Sequence, residues 1–384
     1  MGSKIVKNLC VLLVSVILCL ILLETALRIY NPIIQTIKGD KVVLPVNYDQ
    51  TIRYPHIPGV EPGVRIHQNS LGFRGADPPA DFADRLSIVT IGGSTTHQET
   101  QSDNVTWTAL LGDAVADCFD RTWINNAGFE GHSSFAHIQL IRGYINKLHP
   151  KVAVLLIGAN EIYFTPAGIT EPNAYDREQV VSNLNFDAGI KGFLKGLSNR
   201  SEVVDLGLTL YRSFRAWKLG YNYGVDWTTL AEEDAMTGDA EAQLVAMKDK
   251  QAAYAARLRV IIRLLRDGHT VPVLVTQPTV AEIARDPTTG KDLSRLANGL
   301  YWYRALGIYN DTMRQVAQSE NLRLIDLAHT MPRDTKYYYD PIHYTDAGSK
   351  KVAQLVAMGL LPYLGQKFPS FSKGICQNVT ANPG

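Results

Sequence analysis

Residues 86–96 read Leu86-Ser87-Ile88-Val89-Thr90-Ile91-Gly92-Gly93-Ser94-Thr95-Thr96, and the reading of this stretch decides the fold. The first six residues are mostly apolar and β-branched, with no polar alternation. Such a short run marks a strand covered on both faces. Two glycines then let the backbone turn sharply, and a helix can begin at the serine. A strand that passes into a helix in this way is half of a βα unit.

Four further runs share the pattern: Trp123–Ala127, Val152–Ile157, Val271–Gln277 and Leu322–Leu327. Pro272 is tolerated in the fourth because it sits near the strand start. Helical spacing occupies Thr106–Ala116, Ser134–Leu148, Ala240–Asp267 (stopping at Gly268), Leu300–Ser319 and Asp346–Leu361. The last has Thr345 as its N-cap and is expected to end before Pro362. Strands alternating with helices predict an α/β fold with a five-stranded parallel sheet covered on both faces. Residues 162–238 are too long for a simple connection and read as an insertion with some helix of its own, near the candidate site at the strand ends. Residues 31–84, rich in Pro and Gly, read as a stalk and an irregular lead-in.

The chain has 384 residues, 46% hydrophobic and 20% charged, with net charge +1. It is therefore globular, and with no basic stripe nucleic acid is not expected as a partner. Leu9–Leu23 carries no charge. Its neighbours bring it to membrane-spanning length, so an N-terminal transmembrane helix is expected over 1–30. Lys4 and Lys7 before it also suit a cleaved signal, but Glu24 at −3 to Ala26 fits a cleavage site poorly. An uncleaved single-pass anchor with the bulk of the chain on the extracytoplasmic (periplasmic) side is the expectation. Cys118 and Cys376 can form a disulfide, with free buried thiols as the alternative. No metal-ligand spacing is present and no cofactor is called for.

In open parallel sheets ligands bind beyond the carboxyl ends of the strands. Those ends carry Gly92-Gly93-Ser94, Asn126-Ala127-Gly128 and Gly158-Ala159-Asn160-Glu161, and Asp340-Pro341-Ile342-His343 follows the fifth strand. Ser94 at a helix start is a candidate nucleophile, a helix cap or part of a phosphate loop. The phosphate reading lacks the lysine of a P-loop, and no GxSxG elbow is present. His343 supplies the base a serine needs, and Asp340, three residues earlier, can orient it. Gly128 and Asn160 offer oxyanion donors. His97, His132 and Arg74 are candidate substrate contacts; packing, capping or a surface salt bridge are the plainer readings. His97 is also a rival base, with no carboxylate obvious in the sequence to orient it.

Taken in order, GGS, NAG, GxN and DxxH resemble the SGNH (GDSL-like) hydrolase superfamily over about residues 86–362. The resemblance implies a flavodoxin-like three-layer α/β/α fold. It also implies a Ser94–His343–Asp340 triad, with the Ser94 N–H, the Gly128 N–H and the Asn160 side chain as oxyanion hole. Block I reads GGS in place of GDS, as in membrane-anchored bacterial members; block III reads GANE, with Glu161 changing how its loop is held. The implied activity is that of a serine esterase working through an acyl-enzyme on an envelope carbohydrate or lipid-linked ester. An O-acyltransferase with the same triad and a non-catalytic envelope assembly protein are the alternatives. The expected partners are an acylated small molecule or glycan, and the membrane. The hydrolase domain is expected at 85–365, with 366–384 as a tail.

Overall fold

The computed structural model describes residues 2–30, 37–38, 41–54, 57–164, 193–194, 196–218, 224–233, 236 and 238–374. Contacts divide the chain into two compact units: Met1–Pro45 with Ala174–Asn222, and Val46–Asn173 with Tyr223–Gly384.

The larger unit holds all five expected strands: β1 (Leu86–Gly92), β2 (Thr122–Asn126), β3 (Val152–Leu156), β4 (Val271–Val275) and β5 (Arg323–Ile325). They pair parallel throughout, in the order β2-β1-β3-β4-β5. Every residue of β1 and β3 is buried, as their unbroken apolar runs require. Alternate side chains serve opposite layers. Leu86, Ile88, Val152, Val154, Val273 and Val275 join a core with Trp107, Leu111, Val352, Val356 and Leu360. These last come from helices Trp107–Cys118 and Asp346–Lys367. The opposite face is covered by helices from Ser134, Gln251 and Gly299, giving the expected three-layer α/β/α sandwich. Each large aliphatic side chain buried this way contributes roughly 1.5–3 kcal/mol.

Several elements differ from expectation. Residues 48–68 are not irregular: Tyr48–Arg53 and Gly63–Gln68 form an antiparallel hairpin. Its second strand alternates, with Val64, Ile66 and Gln68 inward. The expected helix Ala240–Asp267 is two, Gly238–Asp249 and Gln251–Asp267, parted at Lys250. The break lets Leu244 and Met247 bury independently of Tyr254, Leu258 and Ile261. The last helix runs through Pro362 to Lys367. Burial of Leu360, Leu361 and Leu364 outweighs the one backbone bond that proline forfeits. Ile141–Ile145 is a π-helical turn within the Ser134–Leu148 segment. Cys118 is disulfide-bonded; Cys376, its expected partner, lies outside the described residues, as do 165–192 of the insertion.

In the smaller unit, Lys4–Ile29 lies within one helix, whose most apolar 18-residue window has a mean hydropathy of 2.8 and no buried residue. It is long and apolar enough to cross a bilayer, whose hydrocarbon core is about 30 Å. A second helix, Glu202–Lys218, belongs to the same unit.

Candidate active site

The chain leaves β1, forms the edge strand β2, and returns to β3 on the other side of β1. The loops after β1 and β3 therefore diverge, opening the crevice in which such sheets bind ligands. Ser94 follows β1 as the first residue of the short helix Ser94–His97. In that position its N–H has no intrahelical acceptor. Gly93 before it admits no side chain, since a Cβ there would meet the Asn160 amide and the His132 carbonyl.

His343 joins Ser94 across 249 positions of sequence: its Nε2 lies 2.7 Å from Ser94 Oγ. On the other side its Nδ1 is 2.6 Å from Asp340 Oδ2. Asp340 Oδ1 accepts from the N–H groups of Ile342 and His343, at 2.9 and 2.8 Å. The proline-stiffened turn thus fixes the carboxylate before the imidazole meets it. Tyr339 stacks on the His343 ring, centroids 5.6 Å apart and planes 7° from parallel. The three expected residues therefore form one hydrogen-bonded line.

The electrostatics suit proton transfer. Burial alone would depress the His343 pKa, but the Asp340 carboxylate and its hydrogen bond, with Glu130 adding, hold it above the ordinary 6.5. For Asp340, burial pulls upward and is overcome by the imidazole and the two backbone N–H groups, so it stays below its usual range. A serine, an imidazole base and an orienting carboxylate in this arrangement can pass a proton from hydroxyl to leaving group.

The candidate oxyanion donors are less simply placed. Asn160 sits beside the serine loop, and one Nδ2 hydrogen goes to the His132 carbonyl at 2.9 Å, leaving the other for a ligand. The Gly128 N–H donates to Asn126 Oδ1 at 2.9 Å, so its expected donor is occupied. Gly128 is nonetheless packed against the helix Ser94–His97, where a Cβ would come within 2.5 Å of the His97 nitrogen.

The remaining candidates take distinct places. Arg74 is not a surface residue: its side chain is 2% exposed. Its guanidinium donates to the carbonyls of His97, Gln98 and Gln101 and to Asp103. It therefore clamps the segment following Ser94. His132 is enclosed, tilted against Phe129 and edge-on to His137, and burial pushes its pKa well down, so it is neutral. His97 does have an orienting carboxylate, contrary to expectation: Glu130 Oε1 lies 3.2 Å from its Nδ1. The GANE departure is explained as well. Glu161 is buried, accepts from the Ser134 N–H, and pairs at 2.7 Å with buried Arg257.

Residues not singled out from the sequence complete the frame. Gln98 accepts from the Trp107 N–H and reaches Ser349, and Gln101 donates to the Tyr344 carbonyl. Thr95 donates to Gln277. These amides tie the serine loop to the histidine loop; only the polar character of a loop otherwise expected to be solvated could have signalled them.

If the line of three residues works as a base relay, activity requires neutral His343. Its raised pKa then places the acid limb of kcat/KM above pH 6.5. Glu130→Gln removes one of the charges that favour the imidazolium, so the limb should move to lower pH. A pH profile on a neutral ester measures this; an unmoved limb would separate Glu130 from the base.

The sequence profile of the GDSL-like lipase/acylhydrolase family matches residues 90–351, about two thirds of the chain. No curated protein sequence matches it. Among solved structures, a lipase/acylhydrolase from Enterococcus faecalis is 14% identical, with 72% of this chain and 96% of that one covered and a TM-score of 0.39. A GDSL-like lipase from Bacteroides thetaiotaomicron is 10% identical, covering 76% and 93%, with a TM-score of 0.36. A catalytic mutant of an acetylxylan esterase from Geobacillus stearothermophilus is 12% identical, covering 71% and 93%, with a TM-score of 0.39.

Proposed function

Because this chain belongs to the GDSL-like lipase/acylhydrolase family, we propose that Ser94 is the nucleophile of an ester hydrolase that works through an acyl-enzyme. The observation that carries the reading is the continuous line Ser94 Oγ–His343–Asp340, at 2.7 and 2.6 Å. Ser94 attacks the ester carbonyl while His343 Nε2 takes its proton and Asp340 steadies the imidazolium. The tetrahedral oxyanion is met by the Ser94 N–H and the free Asn160 hydrogen, and by the Gly128 N–H once it leaves Asn126. His343 returns the proton to the departing alcohol. Water, deprotonated by the same imidazole, then releases the acid and frees Ser94.

On the same reading, residues 1–30 are a retained anchor, 85–365 the hydrolase domain and 162–238 its insertion. The apolar helix Lys4–Ile29 supports a place at the membrane. With the hydrolase domain on the extracytoplasmic side, the substrate is an acylated envelope carbohydrate or a lipid-linked ester. The His97–Glu130 pair, three residues beyond the nucleophile, favours a second reading. A donor and acceptor placed there suit an acceptor hydroxyl, and transfer to a sugar would then compete with hydrolysis.

The test uses the full chain in detergent. Short acyl esters should be hydrolysed, and a fluorophosphonate probe should label one peptide, that containing Ser94. Adding a sugar acceptor should divert product into an acyl sugar if the second reading holds. A folded sample that neither hydrolyses nor labels would overturn the assignment.

A further inference from the structure

Helix Glu202–Lys218 follows Ser201, whose Oγ accepts from the Val204 N–H at 3.3 Å, and a further acceptor comes from far upstream. Glu24, near the end of the apolar helix, accepts from Ser201 Oγ at 2.8 Å and from the N–H groups of Glu202 and Val203, both at 3.1 Å. Arg28 completes the joint, donating to Glu24 at 2.8 Å and to the Arg200 carbonyl at 2.6 Å. Leu27 is buried there while its neighbours Ile29 and Tyr30 are 82% and 73% exposed. A carboxylate on first-turn N–H groups satisfies donors the helix cannot satisfy internally and suits its dipole.

The second helix has its faces arranged unusually for one in water. Its inward side carries Asp205 and Leu208, with Leu194, Val204 and Tyr211 packed around the leucine. The opposite side carries Val203, Leu206, Gly207 and Leu210, spaced three, four and seven along the chain, and Leu210 is 54% exposed. The outward face of a water-facing helix is polar. Here it is apolar, and the preceding turn adds Phe193 (70% exposed) and Leu197 (38%).

We propose that Glu202–Lys218 is an interfacial helix, held by Glu24 on the bilayer surface where the N-terminal helix emerges. Its Val203–Leu206–Leu210 stripe rests in the boundary between headgroups and acyl chains. The occupant is lipid because the stripe belongs to the same unit as a helix that is itself apolar and unburied, and the Glu24 joint fixes one to the other. Such helices sink about 5–10 Å into that boundary. The inference rests on the anchor reading above. It also gives Glu24 a task that cleavage after Ala26 would abolish.

The experiment uses the full chain with Cys10 and Cys19 replaced by serine, in nanodiscs of phosphatidylethanolamine and phosphatidylglycerol carrying nitroxide at the upper acyl chain. A bimane label is placed by Leu210→Cys, Leu206→Cys or Thr209→Cys. Quenching at 210 and 206 should exceed that at 209, on the flank, by at least twofold. Glu24→Ala should reduce quenching at 210 by about half. Equal quenching at all three positions would overturn the proposal. So would a label at 210 shielded from aqueous iodide yet unquenched by lipid, which would place a protein on the stripe. If Glu24→Ala fails to fold, the quenching pattern of the parent chain still decides. Intact mass reports the anchor separately: loss of the residues before Leu27 defeats the anchor reading, whereas a full-length chain without the pattern defeats only this inference.

Discussion

Ser94→Ala is expected to lower kcat on a short acyl ester by roughly 10⁴- to 10⁶-fold, with KM little changed, and to abolish fluorophosphonate labelling. The loss is large because the Ser94 hydroxyl is the one hydrogen-bonded to His343 Nε2, at 2.7 Å, among the described residues. The fold should survive, since the neighbouring Thr95, Gln98 and Trp107 carry the loop's tertiary hydrogen bonds. Melting temperature should therefore stay within a few degrees of the parent while turnover disappears. Retained turnover in a verified Ser94→Ala sample would end the nucleophile assignment.

Glu161→Ala should cost about 3–5 kcal/mol of stability, the usual penalty for stranding one member of a buried ion pair. Both side chains are almost wholly out of water, at 1% for Glu161 and 0% for Arg257. Arg257 also lies over the Phe135 ring at 4.2 Å, so it has no short route to solvent. A fall in Tm of roughly 10 °C corresponds to that energy in a domain of this size. Because Glu161 adjoins Asn160, activity should drop even below the melting transition. Replacing both partners, as Glu161→Leu with Arg257→Met, should recover much of the stability but less of the activity. Full recovery of both would show that the pair contributes folding energy and nothing to the placement of Asn160.

The contrast between these residues explains what was legible in the sequence. The five strands were readable because burial on both faces enforces continuous apolar runs, a purely local signal. Ser94, Asn160, Asp340 and His343 were readable because each sits where a strand end or a tight turn leaves a local mark. Arg257 was not: it reaches Glu161 across 96 positions, and along its helix it is one arginine among several. Glu130 carries no local mark for the same reason, lying 33 positions from the histidine it meets. Arg74 looked like a surface charge because a turn rich in glycine usually is exposed; its burial depends on three carbonyls that only the folded segment presents. The hairpin was hidden by prolines and glycines around a strand whose alternation covers only six residues.

The order of the sheet has a consequence for the life of the chain. The hydroxyl is carried on a segment made early, while the imidazole and its carboxylate arrive only just ahead of the closing helix Asp346–Lys367. Between them β2, β3, β4 and β5 must all dock, so the large loop is closed in stages rather than at once. A polypeptide threaded outward from its amino end would stay chemically inert through most of its passage. Under the proposed chemistry it would acquire reactivity only when the helix Asp346–Lys367 seals against Trp107–Cys118.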